Sequence, residues 1–137
     1  MEFPPDAERR IIQDQVAWLT TITDAGAPAP NPVWFVRQGD DLVVFAEPSS
    51  RKVHNIEQRP LVSLHFNSDA HGGDIVIVNG TAELAHNQPP SATDEYVDKY
   101  EAAITGELQT TVAELDAQYN TRIRIRPTKV RLTPASG

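Results

Sequence analysis

"NPVWFVRQGDDLVVFAE" (residues 31–47) decides the fold. Two runs rich in β-branched and aromatic residues, 31–37 and 42–47, flank "QGDD" at 38–41, where Gly39 can take the positive φ of a tight turn. That pattern is a β-hairpin. The same signature recurs on both sides. Upstream, "AWLTTIT" (17–23) reads as a strand, parted from the hairpin by "DAGAPAP" (24–30), in which Asp24 and Gly26 suit a turn and Pro28 and Pro30 bar a helix. Downstream, "LVSLHFN" (61–67) and "IVIVNGTAELA" (75–85) read as two more strands around the loop "SDAHGGD", with Gly80 marking a bulge or bend. "RIRIRPTKVRL" (122–132) alternates again, with Ile123, Ile125 and Val130 inward and the arginines outward.

Helical signals are few. Residues 6–16 read as a short helix with Asp6 as its cap and Ile11, Ile12 and Val16 as its buried stripe. Residues 48–60 form another, bounded by Pro48 and Pro60. Only 92–105 and 110–119 make a longer helical stretch, with Val97, Tyr100, Ala103 and Ile104, then Val112, Leu115 and Tyr119, at helical spacing. The connections are too short for repeated βαβ crossovers. The expectation is therefore one mainly β domain over 1–137: a six-stranded antiparallel barrel, closed or split, with a helical insertion at about 91–120.

The chain carries a formal net charge of -7, which excludes a general nucleic-acid binder, since that function needs a basic face. It has no Cys, hence no disulfide framework or thiolate nucleophile. "MEFPPDAERR" lacks the basic and apolar regions of a signal peptide, and no apolar run approaches a membrane span, so a cytoplasmic protein is expected. The charge is uneven. From Glu83 to Asp116 there are eight acidic residues and one basic residue, Lys99, consistent with a solvated helical face; from Arg122 to Arg131 there are five basic residues and no acidic one.

The chemistry concentrates in "SSRKVHN" (49–55). A helix starting near Ser50 leaves its first N–H groups unpaired beside the positive end of the helix dipole. Ser49 and Ser50 offer hydroxyls. Lys52 and Asn55, three apart, are read as one face, with Val53 and Ile56 on the other holding the turn to the barrel. That is the donor set of a phosphate site. A capped surface helix with solvated Arg51 and Lys52 fits the same spacing, and spacing alone does not choose.

The motifs "PVWF" on the second strand, K-x-x-N after the third, "RPLVSL" opening the fourth and "NGTAEL" closing the fifth, in that order, resemble the pyridoxamine 5'-phosphate oxidase-like flavin and deazaflavin split-barrel family. Within it, the chain looks most like the actinobacterial branch that uses coenzyme F420. The resemblance covers residues 8–133. It implies a homodimeric split barrel with the cofactor in a groove at the dimer interface. The cofactor phosphate would fall on Ser50, Arg51, Lys52 and Asn55. The ring would lie along the second and third strands, against Asn31, Pro32, Val33, Trp34, Ala46 and Glu47. F420 adds an oligoglutamate tail to what FMN carries, and Arg124 and Arg126 would supply the cations it needs if their strand borders the groove. The alternative for them is pairing with the acidic helical stretch.

Other constellations carry less. The four histidines, His54, His65, His71 and His86, show no ligand spacing for a metal. Asp69 and Asp74 flank a loop where a carboxylate pair is conceivable, without support from the spacing. Trp18 and Trp34 suit core or interface, Trp34 having the better case for a ring wall. The expected function is an F420-dependent oxidoreductase acting on a small unsaturated substrate, with no catalytic side chain nominated. The alternatives are an FMN-dependent enzyme on the same fold and a non-enzymatic flavin, deazaflavin or haem binder.

Overall fold

The computed structural model describes residues 2–136; Met1 and Gly137, the ends of the expected domain, lie outside the described residues. The elements run α1 (Pro5–Gln13), β1 (Val16–Ile22), β2 (Pro28–Trp34), β3 (Val36–Gln38), β4 (Asp41–Ala46), α2 (Arg51–Gln58), β5 (Leu61–His65), β6 (Ile75–His86), α3 (Asp94–Thr105), α4 (Val112–Gln118) and β7 (Thr121–Thr133), with a 3-10 turn at Pro90–Ala92 before α3. All strand pairs are antiparallel. The sheet order is β2-β1-β5-β6-β7-β4-β3.

That order has a geometric consequence. β2 and β3 lie at opposite ends of the sheet, yet only Phe35 separates them in the chain. The sheet must therefore curl until its ends meet, which makes a split barrel. The expected six strands become seven because the run 31–37 is broken at Phe35. There the backbone leaves the ladder and α3 satisfies it instead. The Phe35 N–H donates to Tyr100 Oη (2.9 Å), and the Phe35 carbonyl accepts from Lys99 Nζ (3.0 Å). The Tyr100 proton is shared between the carbonyls of Phe35 and Gln15, each at 2.7 Å.

β2 also begins earlier than read: Pro28, Pro30 and Pro32 pair with Ile22, Thr20 and Trp18 inside the strand. They occupy alternate positions on an end strand, so their missing N–H groups all fall on the side away from β1, where no ladder bond is lost. The turn before them is reduced to residues 24–27, with Gly26 at φ +82. Gly39 takes φ +63 in the β3–β4 turn, as the hairpin reading requires. At Gly80 the β6–β7 register shifts, and a Cβ there would meet the Arg126 carbonyl oxygen at 2.5 Å, so the bulge needs glycine.

The barrel interior is one apolar cluster that includes Leu19, Phe35, Leu42, Val44, Leu64, Val78, Ile123 and Ile125. α1 closes one end with Ala7 and Ile11, joined by Phe3 just before the helix. Its expected stripe is corrected: Ile12 is 68 % exposed, Val16 belongs to β1, and Arg10 takes the third inward position. Arg10 is held by Asp14 (2.7 Å), Asp74 (3.1 Å) and the Asn67 carbonyl (2.7 Å). Asp6 lies within the first turn and the N-cap is Pro4, which offers no side-chain bond. A second cluster forms outside the barrel, where Tyr96, Tyr100 and Ile104 of α3 cover Val36, Val43 and Phe45. β4 is thus buried on both faces, which is why it reads as an unbroken apolar run. The acidic side chains Asp94, Glu95, Asp98 and Glu101 face solvent. Among the described residues, no helix is long and apolar enough to cross a membrane.

Candidate functional site

The α3–α4 cover does not seal completely onto the barrel. It leaves a cavity of about 310 Å³ where the end of β2, the outer face of β4 and the start of α2 converge. Pro32, Val33 and Trp34 form one wall, and Phe45 the floor. Lys52, in the first turn of α2, reaches in from one side. Tyr96, Leu115 and Tyr119 hang from the cover, and Leu108 stands at the mouth, 53 % exposed.

The aromatic wall is rigid. Trp34 lies flat on Tyr100, with ring centroids 4.4 Å apart and planes at 3°. Tyr100 in turn is pinned by its hydrogen bonds to Phe35. The strand break at Phe35 and the placement of Trp34 are therefore one device. Tyr96 meets Phe45 edge-on at 4.9 Å.

Electrostatics follow burial. Desolvation lowers the Lys52 ammonium pKa below its ordinary value, and the nearby Glu47 carboxylate works against this. Glu47 itself accepts from Gln118 Nε2 at 2.5 Å. Burial, with a smaller contribution from Tyr119, pushes the Tyr96 phenol well above its usual range. Lys99, beneath the wall, is brought down to about 8 by burial, opposed by Asp14.

The start of α2 carries an unpartnered hydroxyl that lies outside the cavity lining. Ser50 holds the N-cap position, but its side chain makes no capping bond, and its Oγ is buried with no partner. The first-turn N–H groups gain nothing from it. Arg51 is exposed and does not line the cavity. Asn55 departs from the expectation that it shares a face with Lys52. It is 4 % exposed, lies with Val53 and Ile56 on the inward face, and donates Nδ2 to Thr21 Oγ1 at 3.0 Å. At i+3 a residue is turned by about 300°, and the barrel takes up that sector of the helix.

Of the expected ring wall, Pro32, Val33 and Trp34 line the cavity, whereas Asn31 is exposed and Ala46 is in the core. Arg124 and Arg126 are drawn to neighbouring strands, not to the acidic helices. Arg124 bonds Asp41 (3.0 Å) and Gln38, and Arg126 pairs with Glu83 of β6 (3.3 Å). The third arginine, Arg122, stands beside Phe45 in register and has a buried Nε with no partner. Sequence reasoning did not distinguish it from its neighbours, because the alternation is the same for all three. Tyr96 was also missed, although 96, 100 and 104 are at i, i+4, i+8 spacing. The loop carboxylates are structural: Asp69 accepts the N–H groups of His71, Gly73 and Ser136, and Asp74 pairs with Arg9 and Arg10.

Residues 3–134 match the family described as pyridoxamine 5'-phosphate oxidase. The chain belongs to the pyridoxamine 5'-phosphate oxidase family. Solved structures of the same fold accompany this family member. A protein described as an F420 reductase superposes with a TM-score of 0.76 at 21% identity, covering 94% of this chain and 98% of that one. The heme storage protein HutZ from Vibrio cholerae gives 0.70 at 16%, covering 97% and 96%. A heme binding protein from Mycobacterium smegmatis gives 0.69 at 20%, covering 100% and 57%. At these identities the likeness concerns the fold alone. No curated protein matches the sequence.

Proposed function

We propose that the protein is a homodimeric oxidoreductase that binds coenzyme F420 and transfers hydride between its deazaflavin and a small unsaturated substrate. One observation carries this reading: a single cavity joins the cationic start of α2 to an aromatic wall locked in place at Trp34. The donor set fits a phosphoryl ester bearing a planar ring. Lys52 lines the cavity from the first turn of α2, and the unpaired N–H groups of that turn add their dipoles; the Ser50 Oγ is enclosed and lies outside the lining. The deazaflavin, when bound, supplies the hydride chemistry. The residues of this chain would hold the phosphoryl group at Lys52 and the first-turn N–H groups of α2, support the ring against Pro32–Trp34, and keep water from Phe45 and Tyr96. In this reading Asn55 supports α2 through Thr21, Arg124 braces β4, and Arg126, 60 % exposed, would have to leave Glu83 to meet a tail.

The dimer is supported by the outer face of β1, β5 and β6, which no helix covers. It holds a groove of about 470 Å³ with Ile22 and Leu61 in its lining and no charged residue, and Leu61 is 68 % exposed. Such a face at the sheet surface fits a second copy of the chain. A cytoplasmic enzyme acting on small molecules completes the reading.

Titration of the purified protein with F420 and with FMN, followed by absorbance and fluorescence, tests it. Saturable binding of F420, weaker binding of FMN, and loss of both in Lys52→Glu are expected. Preference for FMN would transfer the protein to the flavin-dependent side of the family, and no spectral change with either would end the proposal.

A further inference from the structure

The polar side chains that line the cavity have no partners of their own. Among the described residues, the Lys52 ammonium, the Trp34 indole N–H and the Tyr96 and Tyr119 hydroxyls have no hydrogen-bond partner, and no carboxylate lines the space. Tyr96 is the telling member. It is 94 % withdrawn from solvent, at 6 % exposure, and packs edge-on to Phe45 and tilted on Tyr100, both at 4.9 Å. A phenylalanine would make every one of these contacts. The hydroxyl therefore adds nothing to packing, and a buried hydroxyl with no partner is a destabilising feature. Yet it is not sealed in, because Tyr96 lines the cavity and its oxygen is absent from the fully enclosed polar atoms that lack partners. Two ring contacts fix where it points, so it is a preorganised donor with nothing to donate to.

We propose that Tyr96 marks a substrate subsite at the α3–α4 side of the cavity, where its hydroxyl donates to the carbonyl or equivalent acceptor oxygen of a planar, apolar ligand. The subsite rests on the cofactor reading above in assigning the Lys52 end to the phosphoryl group; the donor role of Tyr96 itself needs only the cavity. Leu108 and Leu115 supply the apolar walls and Tyr119 a second hydroxyl on the same side. A neutral ligand oxygen is matched by a phenol that stays protonated, and burial holds Tyr96 in that form. The Lys52 ammonium, with no carboxylate in the lining, disfavours cationic ligands such as ammonium ions.

The test uses 2-acetylnaphthalene and its near-isostere 2-ethylnaphthalene, which differ in the carbonyl, with binding read from Trp emission. Wild type is expected to prefer the ketone by about tenfold, the equivalent of one good hydrogen bond. Tyr96→Phe is expected to lose that preference while holding the hydrocarbon within about twofold. The carbonyl stretch of the bound ketone gives a reading that a packing role would not move: low in wild type, and shifted up in Tyr96→Phe. A retained preference in the variant, or a wild-type stretch at its position in hydrocarbon solvent, overturns the subsite, and the second outcome needs no variant. FMN and F420 titrations run in parallel separate the two claims. Cofactor binding without the Tyr96 effect removes the subsite only. The Tyr96 effect without cofactor binding removes the proposed oxidoreductase and leaves the donor in place.

Discussion

Replacing Tyr100 by Phe deletes one oxygen and tests whether the strand break at Phe35 is held from outside the sheet. The ring stays, so its stack on Trp34 and its contact with Tyr96 are preserved. What disappears is the acceptor for the Phe35 N–H at 2.9 Å and the donor shared by the carbonyls of Phe35 and Gln15. Phe35 is 0 % exposed, so its N–H is left unpaired away from water, a cost of about 1–3 kcal/mol. The lost donated bond adds about 0.5–1.5 kcal/mol. Two facts hold the sum down: the Phe35 carbonyl still accepts from Lys99, and Gln15 is exposed, so water replaces the phenol there. A destabilisation of about 2–3 kcal/mol is expected. With a urea m-value of about 2 kcal/mol/M, the midpoint falls by about 1–1.5 M. The assay is urea unfolding at a fixed protomer concentration, since dimerisation would couple stability to concentration. A midpoint shift under about 0.3 M at unchanged m would refute the claim that Tyr100 replaces the ladder at the break.

Lys99 gives a pH signature. Its folded-state pKa is brought down to about 8 from an ordinary 10.5, so between these limits the unfolded chain binds more protons than the native one and stability rises with pH. Wild type should therefore gain stability relative to Lys99→Met from pH 8 to 9.5, and a flat difference in melting temperature over that window would contradict the burial cause. Gly80→Ala puts a Cβ 2.5 Å from the Arg126 carbonyl oxygen, a backbone atom of the paired strand, so a loss of about 2–3 kcal/mol is expected in calorimetry, and a neutral result would mean the bulge is plastic. Arg10→Met leaves Asp14 without its partner and Asp74 with Arg9 alone, both carboxylates partly exposed, and about 2 kcal/mol of destabilisation is expected, with Arg10→Lys recovering only part because an ammonium cannot fork to both. A loss under 1 kcal/mol in the methionine variant would show that water reaches the pair.

Much of the fold was legible because strand period and turn chemistry are local. The Gly39 hairpin, the Gly80 bulge and the edge character of the proline-bearing strand all follow from residues within a few positions of one another. Helix α1 was misread where the period is ambiguous: Ile11 and Ile12 are adjacent, and only docking on the barrel decides which of them turns inward. The site was half legible. Lys52, Ser50 and Trp34 carry chemistry on their faces. Asn55 does too, but it is equally suited to bonding a buried threonine, and Thr21 lies 34 residues away. The arginines of β7 look alike in sequence and differ only in which strand neighbour presents a carboxylate.

The chain alone determined an antiparallel β domain with a helical insertion and a donor-rich turn after the run 42–47, because periodicity and backbone preference act over a few residues. Tertiary structure decided the seventh strand, the inward turn of Asn55 and the cavity itself. Each of these depends on groups far apart in sequence, Phe35 with Tyr100, Thr21 with Asn55, Trp34 with Tyr96, and such pairs are specified only when the sheet curls and α3 closes over it.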